Sequence, residues 1–158
     1  MAKTAKTNVM RILDRAGIEY NILFYETGDG RNDGISVAQK IGRASSAVFK
    51  TLVAQGGSRE LYVFIVPVSC ELDLKKAARA AGEKKIEMIP VRQLLHATGY
   101  VKGGCSPLGM KKQYRTFLDS SAARHEKIIV SGGKVGLQIE LPVISMQNAA
   151  KAERAELC

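Results

Sequence analysis

The chain has no tryptophan, two histidines and three cysteines among its 158 residues. Two histidines, His96 and His125, exclude a histidine-rich metal site. Cys70, Cys105 and Cys158 are too few and too scattered for a disulfide framework or a zinc site, and no metal is expected. Long apolar runs are missing too. The longest, Leu61 to Val68, is far too short to span a bilayer as a helix. Met1 to Asn8 holds no apolar core of a secretory signal. No internal repeat, low-complexity tract or Pro/Ser linker marks a boundary, so one domain over residues 1–158 is expected. A soluble cytoplasmic protein, monomeric and away from membranes, is the expectation.

What is present fits a globular enzyme or binding module. Hydrophobic residues make up 46% and charged residues 25%, ordinary values for a packed domain. A chain of this size buries roughly 70% of its unfolded surface. Lysine and arginine number 24 against 15 aspartates and glutamates, a net charge of +9. The excess is concentrated. Residues 75–134 hold 13 basic and 4 acidic side chains, whereas residues 1–74 hold 9 and 8. Such a stretch suits a polyanion, because each neutralised phosphate releases counterions. A solvated face kept for solubility explains the charge equally well. No basic amphipathic helix carries Trp or Phe on its apolar side, so a membrane surface lacks support.

Periodicity outlines the elements. Val9, Ile12, Leu13 and Ala16 recur at helical spacing, and Gly17 can end that helix. Glu19 to Tyr25 reads as a strand, and Ser36 as the cap of a short helix ending at Gly42. Val48 to Ala54 and Leu61 to Val68 read as a hairpin around Gln55-Gly56-Gly57-Ser58. Asp73 can cap a helix through Ala81, and Pro90 can open one through Ala97. Short strands are expected at 86–88, 100–102, 115–119, 127–130 and 135–141, and a frayed helix over Asn148 to Cys158. Short strands with interspersed helices give an α+β domain around a mixed sheet.

Three segments carry candidate chemistry. Gly103, Gly104, Pro107 and Gly109, flanked by Lys102, Lys111 and Lys112, make a stiff loop whose backbone can approach an anion. It is not a Walker A loop, since Met110 stands where the lysine must be. Ser131-Gly132-Gly133-Lys134 leads into an alternating strand that puts Gln138 and Glu140 on one side. Lys50 begins an apolar strand; periodicity alone turns it outward, because a buried lone ammonium is costly. Cys105 lies among cations that would lower its pKa, and a Cys–His pair with His96 or His125 is conceivable. Asp29 to Gly34 fails as a calcium loop, because Arg31 stands at a ligand position.

In order and spacing these segments resemble the YbaK/EbsC family, free-standing relatives of the editing domain of bacterial prolyl-tRNA synthetases. The likeness runs over nearly the whole chain. It includes Phe49-Lys50-Thr51-Leu52, Leu72-Asp73-Leu74-Lys75-Lys76, Thr98-Gly99-Tyr100, Gly103 to Lys112 and Ser131 to Leu141. The resemblance implies a compact α+β domain with a mixed, barrel-like sheet. It implies an aminoacyl-tRNA deacylase, needing no cofactor, that clears Cys-tRNA(Pro). Lys50, Gly103 and Gly104 fall on its catalytic positions. Tyr25, Ser106, Pro107, Ser131 and Gln138 fall on substrate-binding positions, with glutamine where the cysteine-specific branch has an acid. Lys102, Lys111, Lys112 and Lys134 would face the acceptor end of the tRNA, and a prolyl-tRNA synthetase is a further implied partner. Deacylation of Ala-tRNA(Pro), or tRNA binding without catalysis, are the alternatives.

Overall fold

The computed structural model describes residues 5–158. Met1 to Thr4, the start of the stretch read for a signal, lie outside them. Helix α1 (Asn8–Ala16) begins where the Thr7 hydroxyl accepts the Met10 N–H and ends at Gly17 in the left-handed region. Strand β1 (Asn21–Phe24) follows. Helix α2 (Gly34–Lys40) is capped by Asp33, not by Ser36. The Asp33 carboxylate accepts both the N–H (3.1 Å) and the hydroxyl (2.6 Å) of Ser36. An acceptor three residues upstream satisfies a free helix N–H, which a side chain already inside the first turn does not.

Strands β2 (Phe49–Gly56) and β3 (Leu61–Pro67) form the expected hairpin, with Lys50 opposite Val66. Helix α3 (Leu74–Ala81) runs from an Asp73 cap to Gly82, as its sequence dictates. Strand β4 (Ile86–Met88) and helix α4 (Val91–Thr98) follow. Tyr100 to Lys102 form no strand. Gly99 and Gly103, at φ 89° and 84°, turn the chain on either side, and its bonds stay local: Tyr100 N–H donates to Thr98 Oγ1 and Gly104 N–H to the Val101 carbonyl. Strand β5 (Arg115–Asp119), a 3-10 turn, β6 (Lys127–Ser131) and β7 (Leu137–Pro142) come next. The C-terminus differs from expectation. Helix α5 (Val143–Ala150) ends eight residues early, and β8 (Ala152–Ala155) adds alongside β5. The reversal is made by Lys151 at φ 54°. Buried Leu157 then anchors the tail: its N–H donates to Asp119 (2.9 Å) and its carbonyl accepts from Asp73 N–H (2.8 Å).

The strands form two sheets. One is antiparallel, in the order β1-β7-β6; the other is mixed, in the order β4-β2-β3-β5-β8. A parallel bridge between Val48 and Ile129 joins them at a seam, so the sheet is barrel-like but open. The main core fills the space between α1, α5 and the inner faces, with Leu13, Phe49, Ile65, Leu118, Ile139 and Met146 almost wholly buried. Strand β3 is buried on both faces. Val63 and Ile65 enter that core, while Tyr62, Phe64 and Val66 pack under Ala77, Ala78 and Ala81 of α3. That is why its sequence is a continuous apolar run and does not alternate.

One covalent link adds to what the cysteine count shows. The fold brings Cys70 and Cys158 to a Cα separation of 6.0 Å, and they form a disulfide across 88 residues of sequence. Sequence separation hid the pair. Among the described residues, no helix is long and apolar enough to cross a membrane.

Candidate functional site

A cleft of about 680 Å³ opens at the seam between the sheets. Strand β2 supplies Lys50 and Thr51. Neighbouring residues of β6 and β7, Ser131 and Gln138, face each other across the ladder and both enter the cleft. The loop after α4 adds Lys102, Gly103 and Cys105, and the loop before α2 adds Asn32 and Asp33. Lys50 therefore does not point away into solvent. The strand starts at the seam, where the facing surface is open cleft and not packed core, so its ammonium need not be desolvated. No ion pair among the described residues uses Lys50 or Lys102.

The glycine loop is held on several sides. Tyr100 Oη donates to the Leu108 carbonyl (2.5 Å), and burial pushes that phenol up to about 12. Ser106 Oγ accepts the Leu108 N–H (3.2 Å). Thr98 Oγ1 donates to the Leu94 carbonyl (2.8 Å) and accepts from Tyr100. Gly104 packs on the neighbouring turn so closely that a Cβ there would lie 3.0 Å from Lys134 Cα and Val135 N. That turn is itself pinned, since Thr7 Oγ1 donates to the Gly132 carbonyl (2.7 Å) and Ser131 Oγ accepts from Gly133 N–H (3.2 Å). The Gly104 N–H is committed to Val101, whereas the N–H groups of Gly103 and Cys105 have no acceptor among the described residues.

The residues singled out in the sequence divide into four groups. Lys50, Lys102, Gly103, Ser131 and Gln138 line the cleft together. Gly104, Ser106 and Pro107 are buried behind it, shaping the loop. Tyr25 is buried and does not line the cleft. Its N–H donates to Gly136, and its hydroxyl has no partner among the described residues. Lys111, Lys112 and Lys134 are exposed and outside the lining; the Lys112 ammonium sits 5.9 Å from the Tyr114 ring. The basic stretch is not one patch. Lys76 and Arg124 line a separate cleft of about 440 Å³ next to the disulfide, Lys85 pairs with Glu87, and Arg115 pairs with Glu153.

The cysteine chemistry is corrected as well. Cys105 is only 7% exposed, and burial pushes its thiol up to about 11 instead of down. The neighbouring lysines are on the surface, while the sulfur is not. Neither histidine lines the cleft: His125 stands edge-on to Phe49 and lines the second cleft, and His96 is exposed on α4. No Cys–His pair forms there. Asn32, Asp33 and Thr51 also line the cleft, and none of them is a candidate site residue on sequence alone. The signals in the sequence are the polar Asp29–Gly34 loop for the first two and the Phe49–Leu52 motif for Thr51.

The fold is a known one. The chain superposes on a crystal structure described as "a putative trans-editing enzyme for prolyl tRNA synthetase" with a TM-score of 0.83, covering 97% of this chain and 98% of that one at 21% identity. A second, described as hypothetical protein APE2540, gives 0.85 over 94% and 97% at 19% identity. At those identities the likeness establishes the fold. Sequence goes further: residues 34–147 match the aminoacyl-tRNA editing domain, and the chain belongs to that family. It is also 42% identical, over 94% of its length and 92% of the relative's, to the Enterococcus faecalis protein named "Putative Cys-tRNA(Pro)/Cys-tRNA(Cys) deacylase EbsC".

Proposed function

We propose that this protein is a trans-editing deacylase that clears cysteine from Cys-tRNA(Pro), and from Cys-tRNA(Cys), by using the substrate's own thiol. One observation carries the reading. The cleft gathers two lysines outside any ion pair, two backbone N–H groups without an acceptor among the described residues and four neutral polar side chains, with no nucleophile–base pair among them. Such a site can bind, orient and stabilise charge. An aminoacyl ester is already activated, and a cysteinyl ester carries a nucleophile of its own.

In this reading the terminal adenosine and the aminoacyl group occupy the cleft. The substrate sulfur attacks its own ester carbonyl. The C–S bond forms, the C–O bond to the ribose breaks, and the thiol proton ends on the departing ribose oxygen. Water then opens the cyclic thioester to free cysteine. Gly103 and Cys105 N–H groups stabilise the oxyanion, Lys50 adds positive charge, and Ser131 and Gln138 orient the substrate. Holding the thiol in attacking geometry supplies much of the rate. One editing domain over residues 1–158, working in the cytoplasm as a monomer with a prolyl-tRNA synthetase supplying tRNA selectivity, completes the proposal.

The test is a deacylation time course on Cys-tRNA(Pro), Cys-tRNA(Cys), Ala-tRNA(Pro) and Ser-tRNA. Release of cysteine, with the seryl ester untouched, is expected. Release of alanine but not cysteine would replace the substrate, and release from none would overturn the enzyme reading.

A further inference from the structure

The lining of the cleft is polarised. Among the described residues it holds one carboxylate, Asp33, and two ammonium groups, Lys50 and Lys102, which come from different elements and make no ion pair with it. Beside Asp33, Asn32 also lines the cleft, and its Oδ1 is buried without any hydrogen-bond partner among the described residues. A buried amide oxygen without a donor is costly and demands an explanation. The loop carrying both residues is stapled. Lys40 Nζ donates to the carbonyls of Glu26 (2.6 Å) and Arg31 (2.8 Å) and pairs with Asp29 (2.7 Å). Asp33 is fixed by its bonds to Ser36, which also hold its carboxyl below the usual range, so the charge persists at neutral pH.

We infer that Asn32 and Asp33 form a subsite for the α-ammonium of the aminoacyl group. The inference rests on the deacylase reading and adds the direction in which substrate lies. An ionised carboxylate next to an unmet acceptor matches a cationic donor with several N–H bonds. A neutral adenine amine or a ribose hydroxyl would meet the amide but bring no opposite charge to the carboxylate, which has its Ser36 bonds but no ion-pair partner among the described residues. Cysteinyl and alanyl esters each carry one cation, the α-ammonium, while the tRNA carries the anions that suit Lys50 and Lys102. The amino end therefore lies at the loop before α2 and the nucleotide end toward the lysines.

The test compares cysteinyl-tRNA with 3-mercaptopropionyl-tRNA, which keeps the thiol and lacks the amino group. Wild-type protein, Asp33→Asn and Asn32→Ala are measured on both. Asparagine still caps a helix, so Asp33→Asn removes the charge and keeps α2. Intrinsic ester reactivity cancels when the preference for cysteinyl over mercaptopropionyl ester is compared between proteins. Each variant is expected to lower that preference about tenfold or more in kcat/KM, mainly through KM, with Asn32→Asp retaining it. Wild-type turnover with an unchanged preference in both variants overturns this inference alone. No turnover of either cysteinyl- or alanyl-tRNA by wild type overturns the deacylase reading and this subsite with it.

Discussion

Gly104 is where a single methyl group tests the architecture of the cleft. Its φ is not in the left-handed region, so alanine brings no backbone strain. What alanine brings is a Cβ 3.0 Å from Lys134 Cα and Val135 N and 3.1 Å from Lys134 C. All three are backbone atoms, and none can rotate away. Ordinary contact needs the two turns to separate by roughly half an ångström. Overpacking of this kind costs about 1–3 kcal/mol, and the lower entropy of unfolded alanine returns about 0.4–1 kcal/mol. A net loss near 1–2 kcal/mol lowers Tm by about 3–6 °C in a chain of this length. The larger effect falls on the reaction. The displaced loop carries the Gly103 and Cys105 N–H groups, and misplacement of about 1 Å can cost on the order of a hundredfold. Thermal melts and deacylation of Cys-tRNA(Pro) are measured for Gly104→Ala, with Gly57→Ala, which meets nothing within 4 Å, as the neutral control. A folded Gly104→Ala protein is expected to lose about tenfold or more in kcat. Wild-type melting and wild-type kcat together would refute the packing of the glycine loop on the 132–136 turn as what sets the site.

Lys50→Ala should abolish deacylation, with a loss of about a hundredfold or more in kcat/KM and an unchanged circular dichroism spectrum; a fully active variant would remove the lysine from the mechanism. Cys105→Ser should remain largely active, and in the wild-type protein Cys105, with its pKa raised to about 11, stays a thiol at pH 7–9 and resists iodoacetamide. Rapid alkylation with loss of rate would restore it as a nucleophile. Reducing the Cys70–Cys158 bridge, or Cys158→Ser, removes a crosslink spanning 88 residues, worth about 4–5 kcal/mol by loop-closure entropy. Tm should fall by about 10 °C or more, and an unchanged melt in reductant would show that the bridge contributes nothing to stability.

Local rules made much of the fold legible. Asp73 and Gly82 bracket α3, and Thr7 and Gly17 bracket α1, because capping depends on residues within one turn. The β2–β3 hairpin is legible for the same reason. The C-terminal strand was not, because β8 exists through pairing with β5, more than thirty residues away, and through the bonds that anchor Leu157. Propensity favoured a helix there, and tertiary pairing overrode it. The site divides similarly. Lys50, Gly103, Ser131 and Gln138 could be picked out by resemblance. Asn32 could not, and Thr51 stands in the family-like motif without a role, because what marks both is a buried polar atom without a partner among the described residues, a property of the packed structure. The charge pattern misled in the opposite sense. Thirteen basic residues spread over 75–134 fold onto several surfaces, and among the described residues only Lys50, from outside that stretch, and Lys102, from within it, bring positive charge into the cleft.

The position of the cleft follows from how the sheets meet. One bridge, Val48 to Ile129, joins them, and past that point the strands diverge. Residues there border the cleft, with Ser131 and Gln138 buried in its wall and Lys50 half-buried. That permits Lys50, Ser131 and Gln138 to be polar on strands whose other inward positions are buried and apolar. The three glycine-containing segments then close the gap from outside. Gly34 lies against Val68, where a Cβ would meet Val68 Cγ1 at 2.4 Å, and Gly104 lies against Lys134. Glycine at these positions lets loops approach a sheet edge closely enough to present backbone N–H groups and an amide to the cleft. The proposed reaction makes a modest catalytic demand and a high geometric one, so under it glycines set the shape of this site as much as the lysines set its charge.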